Sequence, residues 1–246
     1  MKLYGLIGYP LGHSFSKEYF TEKFKKENLA DCYFEAFPIP DIGEFEAIIK
    51  ENPSLKGLGV TIPYKEQVLK FVDEMSEEVK AIGATNSIRI SRNKRIAYNT
   101  DITGFERSFC KQLKPFHTKA LILGNGGASK AVQYVLNKLG INFLVVTRNE
   151  QPAINSINYK QLDAGSISEY LVIINCTPVG MFPNEQVAPD IPYQLLTPQH
   201  YLYDLVYKPK RTLFLQRGEE AGAATENGYE MLIIQAEESW KIWNMD

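Results

Sequence analysis

The sequence predicts an α/β chain of two domains, and three observations carry that prediction. Strand-like and helix-like stretches alternate along the whole length, a polar stretch (KPFHTK) interrupts the series, and a glycine turn (LGNGGAS) joins strand to helix just beyond it. A length of 246 residues is enough for two such domains.

The first series opens with KLYGLIG, a strand, and SKEYFTEKFKKEN, an amphipathic helix carrying Tyr19, Phe20 and Phe24 on one side. CYFEAFPI is a strand, DIGEFEAIIKEN a helix capped by Asp41, and LKGLGVTI a strand. In GLGVTIPYK the alternation of Leu58, Val60 and Ile62 stops at Pro63, which cannot donate to a sheet ladder and forces a turn. Lys65 leaves that turn, either as a solvated lysine or as a cation held at a site. EQVLKFVDEM reads as a further helix. SIRISRNKRIAYN alternates about a polar centre, as a β-hairpin does, which makes the otherwise parallel sheet mixed.

The second series follows the helix TGFERSFCKQL, with the boundary expected near residue 103. ALILGNGGASKAVQYVLNKLG is strand, turn and helix; FLVVTRN, YLVIINCT and YLYDLVYKP are apolar strand runs. TLFLQRGEEAG is helical, and GYEMLIIQAEESWKIW closes the chain as a long helix.

Bulk composition narrows the function classes. The 27 basic and 29 acidic side chains leave a net charge of -2, so no electrostatic footprint for nucleic acid or an anionic membrane is expected. Cys32, Cys110 and Cys176 show no C-x-x-C spacing, and His13, His117 and His200 show no metal-ligand spacing. A reduced, cytoplasmic chain without a metal is the expectation. The N-terminal run MKLYGLIGYPLGHS is too short for a signal segment, and nothing approaches the ~20 apolar residues of a membrane helix.

The glycine turn is the first motif that carries chemistry. G-x-G-G-A-S between a buried strand and a helix lets backbone N–H groups approach a pyrophosphate, with Ser129 at the usual third glycine. A plain tight connection is the alternative. The next strand ends at Thr147 and Arg148, about the ~20 residues downstream where an acid would bind a ribose hydroxyl. Arg148 in its place suits a 2′-phosphate and favours NADP, while nearby Glu150 leaves room for NAD. Elsewhere Ser14 and Ser16 precede or open a helix, Thr85 and Asn86 start a strand, and Asn99, Thr100 and Asp101 precede a helix. Each has a capping or turn explanation. Gly228, Met231, Leu232 and Gln235 fall at i, i+3, i+4 and i+7, so Gln235 lies on an inward stripe and needs a partner.

The motifs GYPLGHSFS, GVTIPYK, GATNS, NTD, GNGGAS, NCTPVGM, DLVYKP and NGYEMLIIQA stand in the order found in shikimate dehydrogenases, and the chain resembles that family over nearly its whole length. The resemblance implies NADPH-dependent, reversible reduction of 3-dehydroshikimate to shikimate, on the route to aromatic amino acids. It implies a substrate domain with a mixed sheet over 1–102, completed by 226–246, and a Rossmann-type NADP domain over 103–225. Lys65 and Asp101 match the family's catalytic pair. Ser14, Ser16, Thr61, Asn86, Tyr207 and Gln235 match its substrate contacts. Gly124, Asn125, Gly126, Gly127 and Ala128 match the diphosphate loop, and Thr147, Arg148 and Asn149 the adenosine phosphate site. Thr177, Met181, Gly228 and Met231 match the surroundings of the nicotinamide. The implied partner is a small molecule, and the implied form a monomer or homodimer.

Two positions depart from the family pattern: Gly59, where Asn is usual, and Lys17, where Pro is usual. The rival readings are a quinate or quinate/shikimate dehydrogenase, possibly using NAD, and a non-catalytic ligand sensor of the same fold. A methylene-tetrahydrofolate dehydrogenase-like relative has only general architecture in its favour.

Overall fold

The computed structural model describes residues 1–12, 15–92, 94–148 and 155–245. In chain order its elements are β1 (Lys2–Gly8), α1 (Phe15–Lys26), β2 (Cys32–Pro38), α2 (Phe45–Glu51), β3 (Leu55–Val60), β4 (Glu74–Met75), α3 (Glu77–Ile82), β5 (Ser87–Ser91), β6 (Lys94–Tyr98), α4 (Thr100–Phe109), β7 (Lys119–Leu123), α5 (Gly127–Lys138), β8 (Asn142–Thr147), β9 (Ser156–Asn158), α6 (Ala164–Glu169), β10 (Val172–Asn175), β11 (Tyr201–Asp204), α7 (Leu213–Glu220), β12 (Ala224–Asn227) and α8 (Tyr229–Trp243). They form two compact units, 1–100 with 235–246, and 101–234. The sequence put the return to the first unit at 226; the units part inside α8 instead.

The sheet of the first unit runs β2-β1-β3-β5-β6-β4. β1 pairs parallel with β2 and β3, while β3–β5 and the β5–β6 hairpin are antiparallel, so the sheet is mixed. Alternation along β1 sends Tyr4 and Ile7 to opposite faces. Ile7 joins Leu58, Val60, Ile88 and the α2 residues Phe45 and Ile48. Tyr4 joins Phe20, Phe24, Phe34, Ala236 and Trp243, an aromatic cluster that fixes the end of α8 on the sheet. Trp243 lies so close to β3 that a Cβ at Gly57 would stand 2.1 Å from its ring. Only glycine permits that approach.

One expected helix is absent. Within EQVLKFVDEM the chain makes a short 3-10 turn, Gln67–Phe71, and then β4. Val68 is fully buried, and backbone bonds from Asp73 N to Arg95 O and Ser76 N to Ala97 O draw the segment alongside β6. Pairing here overrides the helical spacing. The expected cap at Asp41 is present: its carboxylate accepts from Gly43 N at 2.6 Å and opens a turn ahead of α2.

The second unit's sheet runs β12-β11-β10-β7-β8-β9, and every pair is parallel. Covered on both faces, its central strands need no polar side. Ala120, Leu121, Ile122, Leu123 and Val172, Ile173, Ile174 are accordingly all without exposed surface. β7 lies between β8 and β10, so chain direction along the sheet reverses there. That reversal is where open α/β sheets bind ligands, beyond the strands' carboxyl ends. The run YLYDLVYKP stays in the sheet only as far as Asp204. Among the described residues no helix is long and apolar enough to cross a membrane.

Candidate functional site

In the first unit, the turn after β3 is fastened on three sides. Thr61 N donates to Ile7 O, Tyr9 N donates to Ile62 O, and the buried Tyr64 hydroxyl donates to Ile39 O at 2.6 Å. The half-buried Lys65 leaves this fixed turn, and its own carbonyl accepts from Thr85 N at 2.8 Å. That bond sets Lys65 beside the start of β5. There Asn86 is 5% exposed: its carbonyl accepts from Val60 N, its Oδ1 accepts from Thr100 N at 2.7 Å, and its Nδ2 donates to Thr100 Oγ1 at 2.9 Å. The same Nδ2 reaches Gln235 Oε1 at 3.3 Å, and Thr100 Oγ1 lies 3.0 Å from Ser239 Oγ. Gln235 thus has the partner its inward position requires. Asn86 and Gln235 are brought into contact, and backbone bonds tie Val60 and Lys65 to the Thr85–Asn86 segment. Ser16 is half-buried on the first turn of α1, and Ser14 lies outside the described residues.

The two departures from the family pattern take plain forms here. Lys17 Nζ pairs with Glu35 Oε2 at 2.7 Å, both side chains about half exposed, a surface contact worth roughly 0–1 kcal/mol. A Cβ at Gly59 would meet Leu6 Cδ1 at 3.0 Å, so Leu6 takes part of the room a side chain would need. Opposite Gly59 in the ladder, the buried Ser87 hydroxyl has no partner among the described residues.

In the second unit, the glycine turn follows β7. Gly124 has φ +96° and donates its N–H to Val146 O, which ties the turn to β8. A Cβ on Gly124 would stand 2.7 Å from Thr177 Cγ2, so glycine is needed for the β7 and β10 loops to meet. Gly126 caps α5 in extended conformation without a side-chain acceptor, and a Cβ there would meet nothing within 4 Å. The start of this 12-residue helix thus has no side-chain cap, and a helix N-terminus is where backbone N–H groups can hold an anion. Ser129, at the missing third glycine, is buried and bonded by Gln133 Nε2 at 3.0 Å, and Asn125 Oδ1 accepts from the same amide at 3.2 Å. Gly127 and Ala128 form the first turn of the helix.

Thr147 ends β8, buried, and Arg148 follows with its side chain exposed and its carbonyl held by Asn158 Nδ2. An exposed guanidinium one strand from the anion cradle fits a second phosphate. The residues therefore suit a dinucleotide carrying one. Asn149 lies outside the described residues. Met181 is 42% exposed, Tyr207 half-buried and Met231 buried. Gly228 donates to Val206 O, and a Cβ there would collide with Leu205 O at 2.2 Å. Asp101 is buried in the first turn of α4.

Sequence reasoning passed over a buried cluster at the ends of β10 and β11. Asp204 Oδ1 accepts from Asn175 Nδ2 at 2.9 Å and Val206 N at 3.0 Å, and its Oδ2 accepts from Thr212 Oγ1 at 2.6 Å. Burial pushes the carboxyl up to about 6, against the pull of those three donors. Asn175 Oδ1 in turn accepts from Thr177 N and Thr177 Oγ1. The available signal was a polar residue closing each apolar run, VIIN and YLYD.

Known proteins share this chain's sequence and fold. Residues 6–88 match the shikimate dehydrogenase substrate binding domain family. The chain is 36% identical to a shikimate dehydrogenase (NADP(+)) of Caldicellulosiruptor saccharolyticus, over 98% of this chain and 91% of the relative. It superposes on shikimate 5-dehydrogenase of Thermus thermophilus in complex with NADP(H) and shikimate with a TM-score of 0.87 at 26% identity, covering 99% of this chain and 94% of that one. The Listeria monocytogenes enzyme in complex with shikimate and NAD gives 0.87 at 27% identity, covering 98% and 91%. With near-complete coverage at this identity, the chain belongs to the shikimate dehydrogenase family.

Proposed function

We propose that the chain is an NADP-dependent shikimate dehydrogenase that reversibly reduces 3-dehydroshikimate to shikimate in aromatic amino-acid biosynthesis. The observation that carries the reading is the polar cluster of Asn86, Thr100, Gln235 and Ser239, set into an apolar unit beside the fastened turn that presents Lys65. The half-exposed Gln235 amide, backed by the buried Asn86, Thr100 and Ser239, suits a small ring bearing several hydroxyls.

In this reading Ser14 and Ser16 bind the ring carboxylate, and Thr61, Asn86, Tyr207 and Gln235 bind the carboxylate or ring hydroxyls. Gly124 to Ala128 hold the diphosphate, Thr147, Arg148 and Asn149 hold the adenosine phosphate, and Thr177, Met181, Gly228 and Met231 border the nicotinamide. NADP, when bound, supplies or accepts the hydride. The chain's own task is to manage the proton and the charge on oxygen. As the ring carbonyl becomes an alkoxide, the Lys65 ammonium stabilises the negative oxygen, and the Lys65–Asp101 pair supplies the proton. Asp101 holds the lysine and the hydroxyl in line. In the oxidation direction the same pair takes the hydroxyl proton.

The enzyme so described acts on a small molecule in the cytoplasm, as a monomer or homodimer. Lys65→Ala tests it. Removing a general acid–base group lowers kcat by ~10² to 10⁴, with shikimate affinity changed much less. A kcat near that of the wild type would sink the assignment of Lys65.

A further inference from the structure

We infer that Asp204 is a positioning residue for the cofactor, acting through Asn175 on the loop that begins at Thr177. The inference rests on the reading that Thr177 and Met181 border the nicotinamide. Asp204 has no exposed surface and cannot touch a ligand itself. Its effect has to pass through what it holds.

Asn175 and Asp204 are directly paired across β10 and β11, at the carboxyl end of the parallel sheet. An ionised carboxylate accepts hydrogen bonds and donates none. It therefore decides which way the Asn175 amide faces. The NH₂ group points to Asp204 Oδ1 and, through its second hydrogen, to Val179 O at 3.2 Å. The amide oxygen is left facing Thr177, where it accepts the backbone N–H at 3.0 Å and the hydroxyl at 2.6 Å. Thr177 Oγ1 also accepts from Val179 N at 3.3 Å. Reversing the amide would set its donors against the Thr177 N–H and its oxygen against an acceptor, which breaks the turn from both ends.

The consequence reaches the glycine turn. This arrangement puts Thr177 Cγ2 2.7 Å from where a Cβ on Gly124 would stand, so the first residue of the anion cradle packs on the loop Asp204 orients. The same carboxylate holds Val206 N, next to Tyr207, and Val206 O accepts from Gly228 N. One buried acceptor thus fixes two segments beyond the carboxyl ends of β10 and β11. The bond to Thr212 serves the start of α7 instead, where Thr212 Oγ1 also accepts from Leu215 N.

Fluorescence titration of NADPH into the purified full chain tests the inference. With the acceptor that orients Asn175 gone, Asp204→Ala should raise the NADPH Kd about 10-fold or more while shikimate KM moves less than about threefold. Asp204→Asn keeps Oδ1 as acceptor for Asn175 and Val206, donates to Thr212 Oγ1, and should restore the Kd to within about threefold of wild type. Thr212→Val removes the bonds to Asp204 Oδ2 and from Leu215 N, leaves those to Asn175 and Val206, and should lower Tm without moving the Kd. Wild-type NADPH affinity in Asp204→Ala overturns the inference, as does an equal weakening in Thr212→Val or a loss in Asp204→Asn as large as in Asp204→Ala. If Asp204→Ala does not fold, Asn175→Ala carries the same expectation and the same refutation. Thr177→Ala separates the two layers: an unchanged Kd there withdraws the reading of the loop, and the inference falls with it. A raised Kd there, with Asp204→Ala unchanged, overturns the inference alone.

Discussion

Each unit buries a polar cluster, and the two clusters are built differently. In the first unit the members are neutral amides and hydroxyls, and Gln235 stays half-exposed at the edge of the group. In the second, a carboxylate without exposed surface is satisfied by three protein donors. The half-exposed Gln235 amide stands where a ligand can reach it. A sealed carboxylate has spent its capacity on its own loops. The difference separates recognition from positioning, and substitutions in the two clusters should therefore move different constants.

The sharpest way to break the comparison is Gln235→Leu. Losing a polar contact to substrate and leaving Asn86 Nδ2 with one partner fewer should raise shikimate KM about 10- to 100-fold, with NADP KM within about twofold. Equal changes in both constants would mean that the cluster supports the fold rather than the substrate. Arg148→Ala probes the second unit at its exposed edge. Removing one guanidinium from a phosphate should reduce the preference for NADP over NAD about 10-fold, chiefly through NADP KM. An unchanged cofactor ratio would refute the role given to Arg148. The Listeria relative, with NAD bound, makes that ratio the informative quantity.

Much of this was legible in the sequence, for reasons that differ from residue to residue. The glycine turn could be read because close backbone approach demands glycine, as Gly124 against Thr177 illustrates. Gln235 could be read because it interrupts an apolar helical stripe. Its pairing with Asn86 could not, because residues 149 apart in sequence carry no sign of their contact. The helix expected within EQVLKFVDEM failed because β6 offered Asp73 and Ser76 backbone partners that local spacing does not reveal. Asp204 was missed for a related reason. A single acid at the end of an apolar run acquires its meaning only from strand register, which sets it opposite Asn175. Ser14 and Asn149, both read as site residues, lie outside the described residues, and their placement rests on the family motif.

The central claim is tested most directly by initial rates with shikimate and quinate, each with NADP and with NAD, on the purified chain. The account predicts that shikimate with NADP gives the highest kcat/KM of the four combinations. A chain that favours quinate or NAD, or turns over none of the four, would contradict it.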